Sequence, residues 1–281
     1  MAARPDMSDR APAAEWRAHW SLVLASMLGF MMIGVLNFSL GPFMAPLEKS
    51  FGWTLSDITL GMPIYAGVSI IGQPLVGRLI DLWGLRRIAL IGLPLTGGAI
   101  ALFATANGSV ILWLALWLLY SLAAQLVLTP VWSSAVASEF EAGRGLAFAA
   151  TLSGSGLCGF IIPPVSTAVI DHFGWRPAFP ILGLGAAALL LSVTVFLFHS
   201  RRDRAKSGPG VPAAATVPTG VSAVTALRSR TFYKLILAII AGYTLAMAIS
   251  MHNLQLLGSV GQTRSHAAWI TAFFGLSRTT K

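Results

Sequence analysis

Six long apolar runs, separated by short polar connections, divide most of the chain. They lie at about residues 20–47, 57–80, 88–106, 110–137, 145–170 and 177–199. At about 1.5 Å per residue, each run is long enough as a helix to cross roughly 30 Å of hydrocarbon. A lone strand would leave its backbone groups unpaired in lipid, so we expect helices. The pattern predicts an all-α, polytopic transmembrane helix bundle.

Polar segments precede and follow these six runs. We expect four regions: a cytoplasmic tail at 1–19, an N-terminal six-helix transmembrane bundle at 20–199, a cytoplasmic linker at 200–230, and the incomplete start of a C-terminal bundle at 231–281. Residues 1–16 are polar and small and contain proline, so we predict that they are disordered. Basic residues followed by a stretch rich in Pro, Gly, Ala and Thr are typical of a flexible linker.

Two further apolar runs follow the linker. The run at about 232–258 predicts a seventh helix, whereas the next begins near residue 267 and stops after residue 276. About ten apolar residues cannot span a bilayer, so we expect only a stub of an eighth helix. Because the residues from Ser277 to Lys281 are polar and basic, we expect a truncation or a frameshift near residue 278.

The composition agrees with a membrane protein. Of the 281 residues, 56% are hydrophobic and 10% are charged, whereas about 25% of the residues of a soluble domain are charged. A soluble enzyme and a soluble nucleic-acid-binding domain are therefore excluded. Cys158 is the single cysteine, so neither an intrachain disulfide nor a multi-cysteine metal site is expected. No cofactor, metal or catalytic residue is predicted.

The net charge of +9 reflects an uneven distribution of basic residues. Fourteen of the 19 Lys and Arg lie in the segments that would face one side of the membrane, namely 1–17, 78–87, 139–144 and 200–234. Lys49, Arg176 and Arg264 would face the other side. Because cytoplasmic loops carry the excess of Lys and Arg, we expect a cytoplasmic N-terminus in a plasma membrane or bacterial inner membrane.

The end of the second apolar run recurs at the end of the fifth with an offset of 90 residues. The matching pairs are Pro74/Pro164, Ile80/Ile170, Asp81/Asp171, Trp83/Phe173, Gly84/Gly174 and Arg86/Arg176. Helices 1–3 therefore resemble helices 4–6, and because three is odd the two triplets run in opposite orientations. Inverted three-helix repeats are a feature of secondary transporters.

The strongest local motif follows the second run and contains Gly77, Asp81, Gly84, Arg86 and Arg87. It resembles the signature G-x-L-x-D-x-x-G-x-R-R of the major facilitator superfamily, which lies between helices 2 and 3. The resemblance implies that Gly77 permits close helix packing and that the two arginines anchor the cytoplasmic side. It also implies that Asp81 stabilises a closed state by facing a helix N-terminus in a second half of the protein, where a carboxylate is favoured.

Two further stretches, from Phe43 to Trp53 and from Phe140 to Ala147, are similar to the monocarboxylate and oxalate/formate transporter branch of that superfamily. A glycine-rich fifth helix, with Gly154, Gly156 and Gly159, accompanies them. The resemblance implies a protein of twelve helices in two halves. This chain would then contain the N-terminal half, helix 7 and a stub of helix 8.

Five polar residues within the apolar runs are candidates for a solute path. They are Asn37, Tyr65, Gln125, His252 and Asn253. Each could line a water-filled path, and each could equally form a hydrogen bond between helices. No carboxylate or lysine lies at mid-membrane depth in the first six helices, so an obvious buried proton relay is not expected there.

These features predict secondary active transport of a small solute by alternating access. The family resemblance favours an organic anion such as a monocarboxylate, with a coupling proton or a counter-solute and with the lipid bilayer as surroundings, and with no nucleic acid. Two alternatives stay open. One is a truncated membrane fragment that does not transport, and the other is a seven-helix membrane sensor.

Overall fold

The computed structural model describes residues 7–198, 228–238, 240–242 and 244. Residues 7–198 form eight α-helices, and six helical segments among them are long and apolar enough to cross a membrane. The predicted all-α bundle is confirmed, and the protein is an integral multi-pass membrane protein. The chain divides into two compact units at Gly210 and Val211. In the second unit, residues 230–238, 240–242 and 244 are helical.

The helices of the first unit follow the apolar runs. They are α1 (Met7–Phe51), α2 (Leu55–Thr59), α3 (Gly61–Trp83), α4 (Leu85–Ala101), α5 (Val110–Ala124), α6 (Thr129–Glu139), α7 (Arg144–Phe173) and α8 (Trp175–Leu197). Two 3₁₀ turns, Leu102–Thr105 and Gln125–Val127, extend α4 and α5. Glycines with positive φ separate several helices, because this backbone conformation is costly for other residues. Gly52 ends α1, and Thr54 and Asp57 then start α2 with a reciprocal capping box.

The first helix begins earlier than the apolar pattern predicted. Residues 7–16 are helical, so the prediction that residues 1–16 are disordered is wrong for this part. At 1.5 Å per residue the 45 residues of α1 extend far beyond about 30 Å of hydrocarbon. The added turns are held by tertiary contacts, because Glu15 accepts hydrogen bonds from the amides of residues 141–143 at 2.9–3.2 Å.

The predicted inverted repeat is confirmed by the way its two copies end. Gly84 and Gly174 have φ of 87° and 82°, and each joins one long helix to the next. Arg86 at the start of α4 donates to the carbonyl of Val195 at the end of α8 at 2.8 Å. Arg176 at the start of α8 donates to the carbonyl of Ala104, just after α4, at 3.2 Å. The two antiparallel helices therefore cap each other's carboxyl ends, where carbonyl groups lack partners within the helix.

The most extensive helix contacts also join the two copies of the inverted repeat. Within the first unit, α1 packs most extensively on α7, and α4 on α8. Small residues allow these approaches, as is usual where helices associate in lipid. Gly154 of α7 lies directly against the backbone of Met27, so that a side chain there would collide with the Met27 carbonyl. Gly97 of α4 and Gly183 of α8 face each other in the same way.

The fourth span is not one continuous helix, although its apolar run predicted one. After α5 the chain makes the 3₁₀ turn Gln125–Val127, and Leu128 is extended with ψ of 170° before α6 begins. Pro130 lies in the first turn of α6, where the missing amide hydrogen of proline leaves no helical hydrogen bond unmade. The indole of Trp132 donates to the freed carbonyl of Val127 at 2.7 Å.

Candidate functional site

The motif after α3 lies at the end of the bundle, with its members in different surroundings. Asp81 and Arg87 are exposed, whereas Arg86 is half-buried and donates to Val195. Gly84 has a positive φ and forms the turn between α3 and α4. No described residue lies within 4 Å of the position that a Cβ on Gly77 would take. Close packing at Gly77 and the partner of Asp81 in a second half therefore stay predictions.

Three of the five candidate path residues belong to one polar network inside the first unit. Asn37 lies on α1, Tyr65 on α3, and Gln125 at the break of the fourth span. Asn37 Nδ2 donates to the carbonyl of Ile33 at 3.0 Å, and the hydroxyl of Tyr120 donates to the same carbonyl at 3.4 Å. The rings of Tyr65 and Tyr120 stack with centroids 5.8 Å apart. The remaining two candidates, His252 and Asn253, lie outside the described residues.

Hydrogen bonds to Gln125 connect the broken span to α3. Gln125 Nε2 donates to the carbonyl of Ser121 at 2.8 Å and to Ser69 Oγ at 3.1 Å. Ser69 Oγ in turn donates to the carbonyl of Tyr65 at 2.8 Å. A carbonyl oxygen can only accept, so the contact with Ser121 fixes which end of the amide carries the nitrogen. The Gln125 Oε1 atom must therefore point away from Ser121.

The Oε1 atom of Gln125 is buried and has no hydrogen-bond partner among the described residues. The whole residue is only 4% exposed. Oε1 lies beside Gly72 of α3, where a Cβ would come within 3.0 Å of it. A buried acceptor without a donor is costly, by about 1–3 kcal/mol. An unsatisfied buried polar atom is uncommon in a folded protein and calls for a structural or functional reason.

Sequence reasoning missed several members of the network. Ser69, Gly72 and Tyr120 were not among the candidates, because the residue pattern does not specify which side chains of neighbouring helices meet. Pro130 was not a sufficient signal, because Pro74, Pro94 and Pro180 lie inside helices that stay continuous.

A second polar group, at the start of α1, was also missed. His19 Nδ1 lies 3.6 Å from the carboxylate of Glu139, which is 6% exposed. Arg144 donates to the carbonyls of Ala137 and Phe140 at 2.7 and 3.1 Å and so caps the carboxyl end of α6. Trp16 packs edge-on against Phe140. Together with Glu15, these contacts fasten the first turns of α1 to the connection between α6 and α7.

The described residues offer little to a metal ion. Within them, no three His, Cys, Asp or Glu side chains come together in a group that could bind one. The charged side chains of residues 20–198 all lie near helix ends or in connections, as the sequence suggested. The chemistry of the polar network is therefore hydrogen bonding by neutral groups.

Comparison with known proteins identifies one family and several relatives of this chain. Residues 22–278 match the Major Facilitator Superfamily. The chain is 28% identical to mouse monocarboxylate transporter 11 over 184 residues, which are 64% of this chain and 40% of that protein. It is 29% identical to an MFS-type transporter of Gibberella moniliformis over 268 residues, or 92% of this chain and 58% of that protein.

Bovine monocarboxylate transporter 13 is 27% identical over 173 residues, or 61% of this chain and 40% of that protein. The chain spans about half the length of the curated relatives it matches. The family match covers most of the chain and includes both the motif after α3 and the polar network. With its six spans and inverted repeat, this chain belongs to the Major Facilitator Superfamily.

Proposed function

We propose that the protein carries out secondary active transport of a small solute across the membrane by alternating access. The solute class is an organic anion such as a monocarboxylate. Membership of the superfamily and the similarity to proteins named monocarboxylate transporters support this. The observation that carries it is the broken fourth span, beside which the buried Gln125 Oε1 has no hydrogen-bond partner among the residues that the structure describes.

Alternating access requires a half that moves as one piece. The mutual capping of α4 and α8 by Arg86 and Arg176, and the close approach of Gly97 and Gly183, support this for residues 20–198. In this proposal Asn37, Tyr65 and Gln125 line the solute path. The motif with Gly77, Asp81, Gly84, Arg86 and Arg87 forms the cytoplasmic gate. The excess of Lys and Arg in the segments on one side supports a cytoplasmic N-terminus in this proposal.

Movement of a solute against its gradient needs a second, coupled flux. We propose that a proton or a counter-solute supplies it. The two differ in their dependence on an imposed gradient: a proton-coupled transporter accelerates when the pH outside is lowered, whereas an exchanger accelerates when the solute is loaded on the other side.

The experiment is uptake into proteoliposomes that contain the purified chain. Radiolabelled acetate and glycolate serve as solutes, and protein-free liposomes serve as the control. We expect uptake that saturates with concentration and that an imposed pH gradient or internal solute stimulates. Correctly inserted protein without saturable uptake of any small monocarboxylate, under either gradient, would contradict the proposal.

A further inference from the structure

The start of α1 carries a carboxylate and an imidazole that both reach the connection between α6 and α7. Glu15 and His19 are four residues apart and therefore lie on one face of the helix. Glu15 accepts hydrogen bonds from the amides of residues 141–143. His19 Nδ1 lies 3.6 Å from a carboxylate oxygen of Glu139, the last residue of α6. Together, Glu15, His19, Glu139 and residues 141–143 form what we name the α1 latch.

Glu139 is a buried carboxyl group at the centre of the latch. The residue is 6% exposed, and the side chain of His19 is 16% exposed. Phe140, which is fully buried, packs edge-on against the imidazole with ring centroids 5.9 Å apart. A carboxylate that is removed from water loses its solvation, and this is costly unless an opposite charge or a proton compensates for it.

One proton bound by His19 and Glu139 compensates for the buried charge. If the proton is on the imidazole, the two side chains form an ion pair, and if it is on the carboxyl group, both are neutral. The pair has no net charge in either arrangement, so the proton belongs to the pair rather than to one residue. When the proton is absent, a buried carboxylate faces a neutral ring. A charge on His19 also attracts the carboxylate of Glu15, which lies one helical turn earlier.

Other charged groups lie at the same end of the bundle. Helix α1 packs on α4, α6, α7 and α8, and α6 also packs on α3 and α4. At this end, these elements and the α6–α7 connection carry Glu15, Arg17, Arg78, Asp81, Arg86, Arg87, Glu141 and Arg144. Arg144 donates to carbonyls at the end of α6, and Arg86 donates to a carbonyl at the end of α8. None of these groups is a histidine, the side chain that ordinarily changes its charge between about pH 5 and about pH 8.

We propose that His19 and Glu139 form a proton-binding site that sets how firmly the start of α1 is held to the α6–α7 connection. With the proton bound, the α1 latch is closed. As the pH on the N-terminal side of the membrane rises, the proton leaves and the latch loosens, because the carboxylate then requires water. The stabilisation is therefore present at low pH and is lost as the pH rises.

The position of the latch connects it to movement within the bundle. Helix α1 belongs to the first copy of the inverted repeat, whereas α6 and α7 belong to the second. The latch therefore joins the two copies at one end, and its loosening would free that end of α1. This inference goes beyond the proposed transport and does not depend on the identity of any solute.

Hydrogen exchange at two pH values tests the proposal on the full 281-residue chain in lipid nanodiscs. The exchange rates of amides 141–143 are measured at about pH 5 and about pH 8. Each rate is divided by that of an unstructured peptide at the same pH, which gives the protection of the amides. We expect about fivefold greater protection at the lower pH. The buried amides of Thr96 and Ile100 in α4 serve as an internal reference for the fold and should show no such ratio.

Two variants and a matched control assign the effect to the buried pair. Glu139→Gln keeps the shape of the side chain but removes its charge, so protection should become equal at the two pH values. His19→Arg places a permanent positive charge beside Glu139 and should keep the latch closed at both pH values. Glu141→Gln is the control, because Glu141 is an exposed carboxylate of the same connection, and it should keep the fivefold ratio.

Equal protection at the two pH values in the unaltered chain would overturn the proposal. A fivefold ratio that survives in Glu139→Gln, or that disappears in Glu141→Gln, would also overturn it. If Glu139→Gln does not fold, His19→Arg decides, since protection at about pH 8 that is no higher than in the unaltered chain contradicts a role for the charge. None of these measurements involves a solute, so a failure of uptake into proteoliposomes would leave the inference unaffected.

Discussion

Helices α4 and α8 cross at close range where Gly97 faces Gly183, with the side chains of Ala187 and Ile100 beside the contact. A Cβ placed on either glycine would lie 2.6 Å from the carbonyl oxygen of the other. The two helices belong to opposite copies of the inverted repeat, so this crossing joins the copies. Any side chain at either glycine must push the two backbones apart. Substitutions at this crossing are therefore expected to lower the stability of the bundle.

Gly97→Ala is expected to destabilise the bundle by about 1–3 kcal/mol, the usual cost of overpacking a close contact. The measurement is the melting temperature of the purified protein in detergent. Gly98→Ala is the control, because no described residue lies within 4 Å of a Cβ there and alanine favours a helix. Equal melting temperatures for the two variants would show that the crossing is not close.

Arg86→Gln is expected to loosen the end of α8, because its guanidinium donates to the Val195 carbonyl. A hydrogen bond from a charged donor contributes about 1.5–3 kcal/mol when buried, and the half-buried position of Arg86 reduces this to about 1 kcal/mol. Hydrogen exchange of the last turn of α8 measures the effect. Arg87→Gln, at an exposed neighbour of equal charge, should leave that exchange rate unchanged.

Gly72→Ala is expected to weaken solute binding by displacing the Gln125 side chain, which a Cβ would approach to 2.8 Å. Gly67→Ala, on the same helix, has no described residue within 4 Å of its new methyl group and should bind as before. Affinities for glycolate measured on both variants decide the matter. A loss of affinity in both variants, or in neither, would show that Gly72 does not support solute binding.

Asp81→Asn is expected to lower uptake several-fold while insertion into the membrane stays normal. A carboxylate at a helix N-terminus contributes about 0.3–2 kcal/mol, which the amide largely forfeits. Initial rates in proteoliposomes, normalised to inserted protein, measure this. Asp171→Asn makes the same change at the matching position of the other repeat, and its rate should exceed that of Asp81→Asn. Unchanged uptake in Asp81→Asn would remove the proposed gating role.

Glu15→Ala is expected to release the first turns of α1 from the connection at residues 141–143, because the three amides lose their common acceptor. Limited proteolysis near Arg17 should then become faster. Glu48→Ala, which removes an exposed carboxylate at the other end of the same helix, should not change that rate.

The order of apolar and polar residues by itself determined the six spans and their inverted repeat. Hydrocarbon accepts only helices and closed barrels, and continuous apolar runs of about 20 residues are typical of helices. Asp81, Gly84 and Arg86 recur as Asp171, Gly174 and Arg176, and this recurrence revealed the repeat in the sequence. The same residue types recur because both copies end a helix with the same kind of turn. Asn37, Tyr65 and Gln125 were also identified as polar residues in apolar surroundings.

Only the tertiary structure decided which of these side chains meet and what each has left to offer. The partners of Gln125 are a serine on α3 and a backbone carbonyl of α5, and no residue pattern specifies such pairings. Likewise, the helical start of α1 depends on contacts with residues 139–143, more than 120 positions away in the chain. Local sequence fixes the helices through short-range hydrogen bonds, whereas contacts between helices depend on how their faces pack in three dimensions.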